Sequence, residues 1–406
     1  MCKKSRTHSL QRFRLSSILC LPMVTEIRII RGKSYTCSMT DSVSVHQTTN
    51  TRRNYGIDLL RIVAMLMVCV IHVNYFTVAH YELVPGKEYF YYFGIWTESI
   101  GIIGVNLYGL ITGYVCIDAI WRYSRYVQLW MLVCFYTVLI YLAGYALNAS
   151  ELLSWPASIL HVAKKTCMMW FGSSYWYFAA YTGLFFIMPF LNELLQKLSK
   201  LRFTFIVFVL AFILPILNCY AHDSLYANGY NLAWLIVLYV VGAYIKRFSP
   251  VFLRSSWLAM FAFCSTLLPL ACALFELPVS FDYAWPLTVA YAVAFFILFT
   301  RINIASPLVR RLIAWAAPSA FAVYLIHVHP WSWLMLEKYL RELNKQLDYP
   351  WWYALVCGFG IYVVCTCLDR GRIHLFQLLC VKRGAEAAAD AIARSLQLLY
   401  HKVFLK

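Results

Sequence analysis

Charge is what this chain has least of. Only 13% of its 406 residues are Asp, Glu, Lys or Arg, about half the share of an ordinary globular chain. So few charges cannot solvate the two or three soluble domains that this length would otherwise suggest. Acidic residues are scarcer still, 18 against 35 basic ones. The apolar excess excludes intrinsic disorder, a disulfide scaffold and a coiled coil as overall descriptions. The 14 cysteines stand singly in apolar stretches, apart from Cys365 and Cys367. A CxC pair in a helix is not a zinc spacing, so no metal is expected and the cysteines read as small buried hydrophobes. No internal repeat stands out, which disfavours the transporter folds built from repeats.

What the chain does have is apolar length. Hydrophobic residues make up 62% and aromatics 17%, with 14 Trp and 30 Tyr, a composition suited to anchoring at two membrane–water interfaces. Apolar runs of about 20 residues can cross a hydrocarbon core as helices. Ten such runs lie at roughly 56–79, 91–117, 126–147, 173–195, 202–220, 229–246, 252–274, 283–300, 319–337 and 350–369. The expected fold is therefore an all-α, polytopic transmembrane bundle of about ten spans. Pro189, Pro215, Pro286 and Pro330 fall within these runs, which spans tolerate where neighbours satisfy the freed carbonyls.

Basic residues set the orientation. With the N-terminus placed in the cytoplasm, 28 of the 35 Lys and Arg fall on that side and six (Lys87, Lys164, Lys165, Lys338, Arg341 and Lys345) on the other. The positive-inside rule then puts both termini in the cytoplasm. The same distribution explains the net charge of +17 without a nucleic-acid partner: the partner it implies is the lipid bilayer of the cell (plasma or inner) membrane. Residues 1–50 read as a disordered basic extension, since the apolar stretch LSSILCLPMV is brief for a signal peptide. Residues 51–371 form the membrane domain. The tail 372–406 reads as a cytoplasmic amphipathic helix at the interface. The sequence assigns no oligomeric state.

Ionisable groups inside spans are expensive and mark candidate sites. The first run carries Asp58, Arg61 and His72. On a helix Arg61 and His72 are about 16 Å apart in rise and about 20° apart in angle, so one face carries a cation near one end and an imidazole deeper in. Asp58 and Arg61 also suit an ion pair at a helix start, and Arg61 suits snorkelling to headgroups. Glu98 in the second run is placed to orient His72 or to bind a hydroxyl. His327 in the ninth is placed to approach His72 or to bond a neighbouring helix.

The Arg61–His72 spacing of ten intervening residues, followed by Arg122-Tyr-Ser-Arg125, resembles acyltransferase family 3, integral-membrane O-acyltransferases that act on surface glycans. Gly109-Leu-Ile-Thr-Gly-Tyr114, Trp176-Tyr177-Phe178 and Tyr324-Leu-Ile-His327 extend the likeness over about 52–372. The resemblance implies transfer of an acetyl (acyl) group from cytoplasmic acetyl-CoA, a co-substrate and not a resident cofactor, to a hydroxyl of a surface polysaccharide or lipid-linked glycan. It implies His72 as general base, with Glu98 and His327 as further catalytic candidates. Arg61, Arg122 and Arg125 would hold the coenzyme phosphates, and Trp176 and Tyr177 would stack on the acceptor sugar. The competing class is a multi-pass transporter or exporter of a small solute or glycan precursor, which also has many spans and buried charges.

Overall fold

The computed structural model describes residues 53–77, 86, 88–146, 175–220, 226–249, 253–277, 279–348 and 350–404. The basic extension 1–50 and Lys87, Lys164 and Lys165 lie outside the described residues. No strand occurs among the described residues, so the all-α expectation holds. Residues Arg53–Ala388 form one compact unit.

The first helix, α1 (Tyr55–Thr77), starts where Asn54 Oδ1 accepts from the N–H groups of Gly56 and Ile57 at 2.9 and 3.2 Å, an N-cap that satisfies two otherwise orphaned donors. It is the hub of the bundle. Two-thirds of its most apolar stretch is buried, against 22% for Lys200–Leu217 at the periphery. Leu60, Ala64, Cys69, Val73 and Phe76 are fully enclosed. The next run breaks into α2 (Glu88–Gly101) and α3 (Gly104–Cys116), followed by α4 (Tyr123–Ala146) and α5 (Trp176–Gln196). Lys200–Phe208 is α6; a π turn over Val209–Ile213 then leads into α7 (Leu214–Tyr220). The π turn precedes Pro215, whose missing N–H and ring disturb the regular ladder.

Helix α8 (Leu232–Phe248) packs closely on α3. A Cβ on Gly113 would land on the carbonyl of Tyr239, and one on Gly242 on the carbonyl of Leu110. Glycine at both sites lets the two backbones touch, as is common between membrane helices. Helix α9 (Ser255–Leu274) packs on α2 and on α10 (Pro286–Thr300). Then follow α11 (Pro307–Ala316), a 3-10 turn and α12 (Ala320–His327), α13 (Pro330–Gln346), α14 (Tyr353–Leu378) and α15 (Val381–Phe404).

Among the described residues, eight helices are long and apolar enough to cross a membrane. Two of the ten anticipated runs, 229–246 and 283–300, correspond to shorter helices of 17 and 15 residues. The ninth run, expected at 319–337, is displaced: one candidate span covers Pro307–His327, and a separate helix begins at Pro330. The reason is proline placement. Pro286, Pro307 and Pro330 each open a helix, the position where a missing N–H costs nothing, and Pro330 therefore divides two helices where a continuous span was expected.

Candidate active site

One side of α1 faces a cavity of about 580 Å³. Met65, Val68, His72 and Tyr75 line it from that helix, a stripe at helical spacing. His72 Nδ1 lies 2.9 Å from His327 Nε2, and His327 Nδ1 lies 2.6 Å from the carbonyl of Val323. A carbonyl only accepts. His327 Nδ1 therefore carries its ring proton, His327 Nε2 carries a lone pair, and in the neutral pair His72 Nδ1 must donate to it. His72 Nε2, which has no hydrogen-bond partner among the described residues, is left with the lone pair. The local sequence fixes this relay because His327 sits at i+4 from Val323 in the last turn of α12, where the carbonyl is within reach.

Glu98 belongs to the same wall. Its Oε2 accepts from Asn74 Nδ2 at 3.3 Å, and the same amide nitrogen donates to Thr97 Oγ1 at 2.8 Å. Glu98 makes no hydrogen bond with His72; among the described residues the imidazole is oriented by His327. Trp176 and Tyr177 open α5 and both line the cavity. The Trp176 ring lies 4.8 Å from Tyr230 and is stacked on Tyr283 at 6.5 Å. The loop carrying Tyr283 is held by Asp282 Oδ1, which accepts from the Ala284 amide at 2.7 Å. Burial pushes the Asp282 carboxyl above its ordinary range, partly offset by that bond.

A smaller cavity of about 130 Å³ is lined by Arg122, Arg125, Tyr126, Tyr181 and Asn192. Tyr181 stands one turn along α5 from Tyr177, so this helix contributes a tyrosine to each cavity. Cys116 and Tyr181 feel the charges of both Arg125 and Arg61. Arg61 itself lines neither cavity. Its Nη1 donates to Asp58 Oδ1 at 2.5 Å, and Asp58 also accepts from Arg53, so the ion-pair reading of Asp58 and Arg61 holds.

Of the residues singled out in the sequence, His72, Glu98, Trp176 and Tyr177 line the larger cavity, with His327 bonded to His72 behind its wall; Arg122 and Arg125 line the smaller, and Arg61 lines neither. Sequence reasoning missed Trp333, whose indole meets the His72 ring edge-on at 5.0 Å, and Tyr230, Tyr283 and Asn74. These are aromatic or neutral residues of ordinary type, and nothing in their local pattern distinguishes them. His329 takes no part in the cavity: its Nδ1 accepts from the Trp331 N–H at 3.2 Å and its ring lies 4.8 Å from Tyr141.

Two imidazoles in relay, a carboxyl group and an aromatic wall can perform acid–base chemistry. No curated protein and no solved structure matches the chain significantly. The family model described as an acyltransferase domain matches residues 54–369, most of the chain and every residue that lines either cavity. This multi-pass membrane protein belongs to the acyltransferase 3 family.

Proposed function

We propose that the protein is a membrane O-acyltransferase that moves an acetyl group from cytoplasmic acetyl-CoA to a hydroxyl of a surface polysaccharide or lipid-linked glycan, with His72 as general base. The observation that carries this reading is the relay Val323–His327–His72, which leaves an imidazole lone pair at the edge of a cavity large enough for two reacting groups.

The acceptor hydroxyl gives its proton to His72 Nε2 as its oxygen attacks the thioester carbonyl. The tetrahedral intermediate then expels the thiolate, which takes the same proton from the imidazolium. During the step the His72 Nδ1–H donates to His327 and holds the ring in register. A positioned base of this kind contributes about 10²–10⁴-fold. Arg122 and Arg125 suit the coenzyme phosphates, because guanidinium groups match phosphate oxygens in paired contacts. Arg61 and Arg53 share the one Asp58 carboxylate, so this cluster keeps a net positive charge that acts at longer range. Trp176 and Tyr230 give the acceptor sugar an aromatic face, and Glu98 accepts from one of its hydroxyls.

The test is His72→Ala in proteoliposomes given radiolabelled acetyl-CoA and native membranes as acceptor source. Transfer of label to glycan is expected to fall by about 10²-fold or more with the protein still inserted. Undiminished transfer would remove His72 from the chemistry; a solute flux with no acetylated product at all would favour transport.

A further inference from the structure

We infer that Trp333 is a positioning residue that shields the reactive nitrogen of His72 from water and so sets how much thioester is transferred and how much is hydrolysed. The inference rests on the reading of His72 as base. Three rings lead outward from the imidazole: His72 meets Trp333 at 5.0 Å, Trp333 meets Tyr75 at 5.7 Å, and Tyr75 is 57% exposed. Phe76, fully buried, braces the indole from the side at 4.5 Å, edge-on. The indole therefore stands between the catalytic ring and the exposed end of the ring series.

Its support is local. Trp333 lies in the first turn of α13, three residues after Pro330, and its N–H donates to the His329 carbonyl at 2.8 Å. Pro330, Trp333 and Leu334 line the cavity together. The shield is thus attached to the backbone only six residues from His327, the partner of His72. Helix α13 separates faces: Tyr339 is 63% exposed, whereas Trp333 is turned inward among rings. An acyltransferase whose acceptor arrives separately holds a thioester beside a base in the interim, and exclusion of water is what prevents its loss.

With the shield removed, a water would give one proton to His72 Nε2 while its oxygen attacks the thioester carbonyl. The carbon–sulfur bond breaks, the thiolate takes the proton back, and the products are acetic acid and free coenzyme A. No reactant beyond water and acetyl-CoA is needed.

The full chain in proteoliposomes is given radiolabelled acetyl-CoA and native membranes, with free acetate and glycan-bound label counted separately. Trp333→Ala is expected to raise the ratio of hydrolysis to transfer by about tenfold or more, a part of the ~10²–10⁴-fold a positioned base supplies. Trp333→Phe falls between, and Tyr339→Ala on the outward face keeps the wild-type ratio. Adding His72→Ala to Trp333→Ala abolishes the new hydrolysis. An unchanged ratio in both Trp333 variants overturns the proposal, as does hydrolysis that survives loss of His72. Should Trp333→Ala not insert, Trp333→Phe and Trp333→Leu give the reading. Failure of the base assignment is separately visible, as transfer that persists in His72→Ala alone.

Discussion

At the scale of single residues, the central finding is a tautomer set by a backbone atom. The Val323 carbonyl fixes the proton on His327, and His327 fixes the one on His72. Removing His327 leaves the His72 ring free to turn and to place either nitrogen in the cavity. His327→Ala should lower kcat by about 10²-fold, the low end of general-base catalysis, with the KM for acetyl-CoA unchanged, as steady-state kinetics would show. His327→Asn, whose side-chain oxygen can accept from His72 Nδ1, should recover part of the rate. A structural role alone would affect Ala and Asn alike. The base works only when neutral, so kcat/KM should rise with pH to a plateau and lose this limb in His72→Ala. Glu98→Gln keeps the shape and replaces one accepting oxygen with an amide donor; it should raise the KM for the acceptor and leave that for acetyl-CoA alone.

At the scale of elements, close approach and buried charge decide which helices stay together. The α3–α8 contact runs through Gly113 and Gly242, each against a carbonyl that cannot swing away. Gly113→Ala should therefore destabilise the bundle by about 1–3 kcal/mol through overpacking, measured as a lower midpoint of thermal unfolding in detergent. A second tie joins α4 to α14: the Tyr136 hydroxyl donates to Asp369 at 2.7 Å, and Arg372 bonds both oxygens of the same carboxylate. Asp369 is fully enclosed and Arg372 nearly so. Asp369→Ala would strand the guanidinium, a loss of about 3–5 kcal/mol for a broken buried pair.

These elements also show what a sequence can disclose. Apolar length identifies the spans, and an ionisable residue inside one, such as His72 or Glu98, announces itself by its cost. Proline is ambiguous in the sequence: Pro189 lies inside a helix whereas Pro286 and Pro330 begin one, and only the packing around each distinguishes them. The meeting of His72 with His327, 255 residues apart, is a tertiary fact with no local signal. The placement of Trp333 depends on the break at Pro330 and was hidden for the same reason.

For the whole molecule, the proposed reading assigns the two cavities to substrates that differ in charge. The smaller is lined by Arg122 and Arg125 and the larger by His72 and the aromatic wall, with α5 contributing Tyr181 to one and Tyr177 to the other. In the proposed reading the coenzyme's phosphates rest at Arg122 and Arg125 while its thioester extends toward His72. Binding and chemistry should then separate under mutation. A hydrogen bond to a charged group is worth about 1.5–3 kcal/mol, and exposure places these two at the low end. Arg122→Ala and Arg125→Ala should each raise the KM for acetyl-CoA by about tenfold with little change in kcat. Because the groups are exposed, the effect should shrink as salt is raised toward ~1 M, where charge is screened within about 3 Å. Lysine at either position keeps the charge but loses the paired contact, so it should restore less than half of the binding free energy. Steady-state kinetics across salt concentrations would show this. A fall in kcat with KM unmoved would place the two arginines in the chemistry and leave the coenzyme phosphates to other cations.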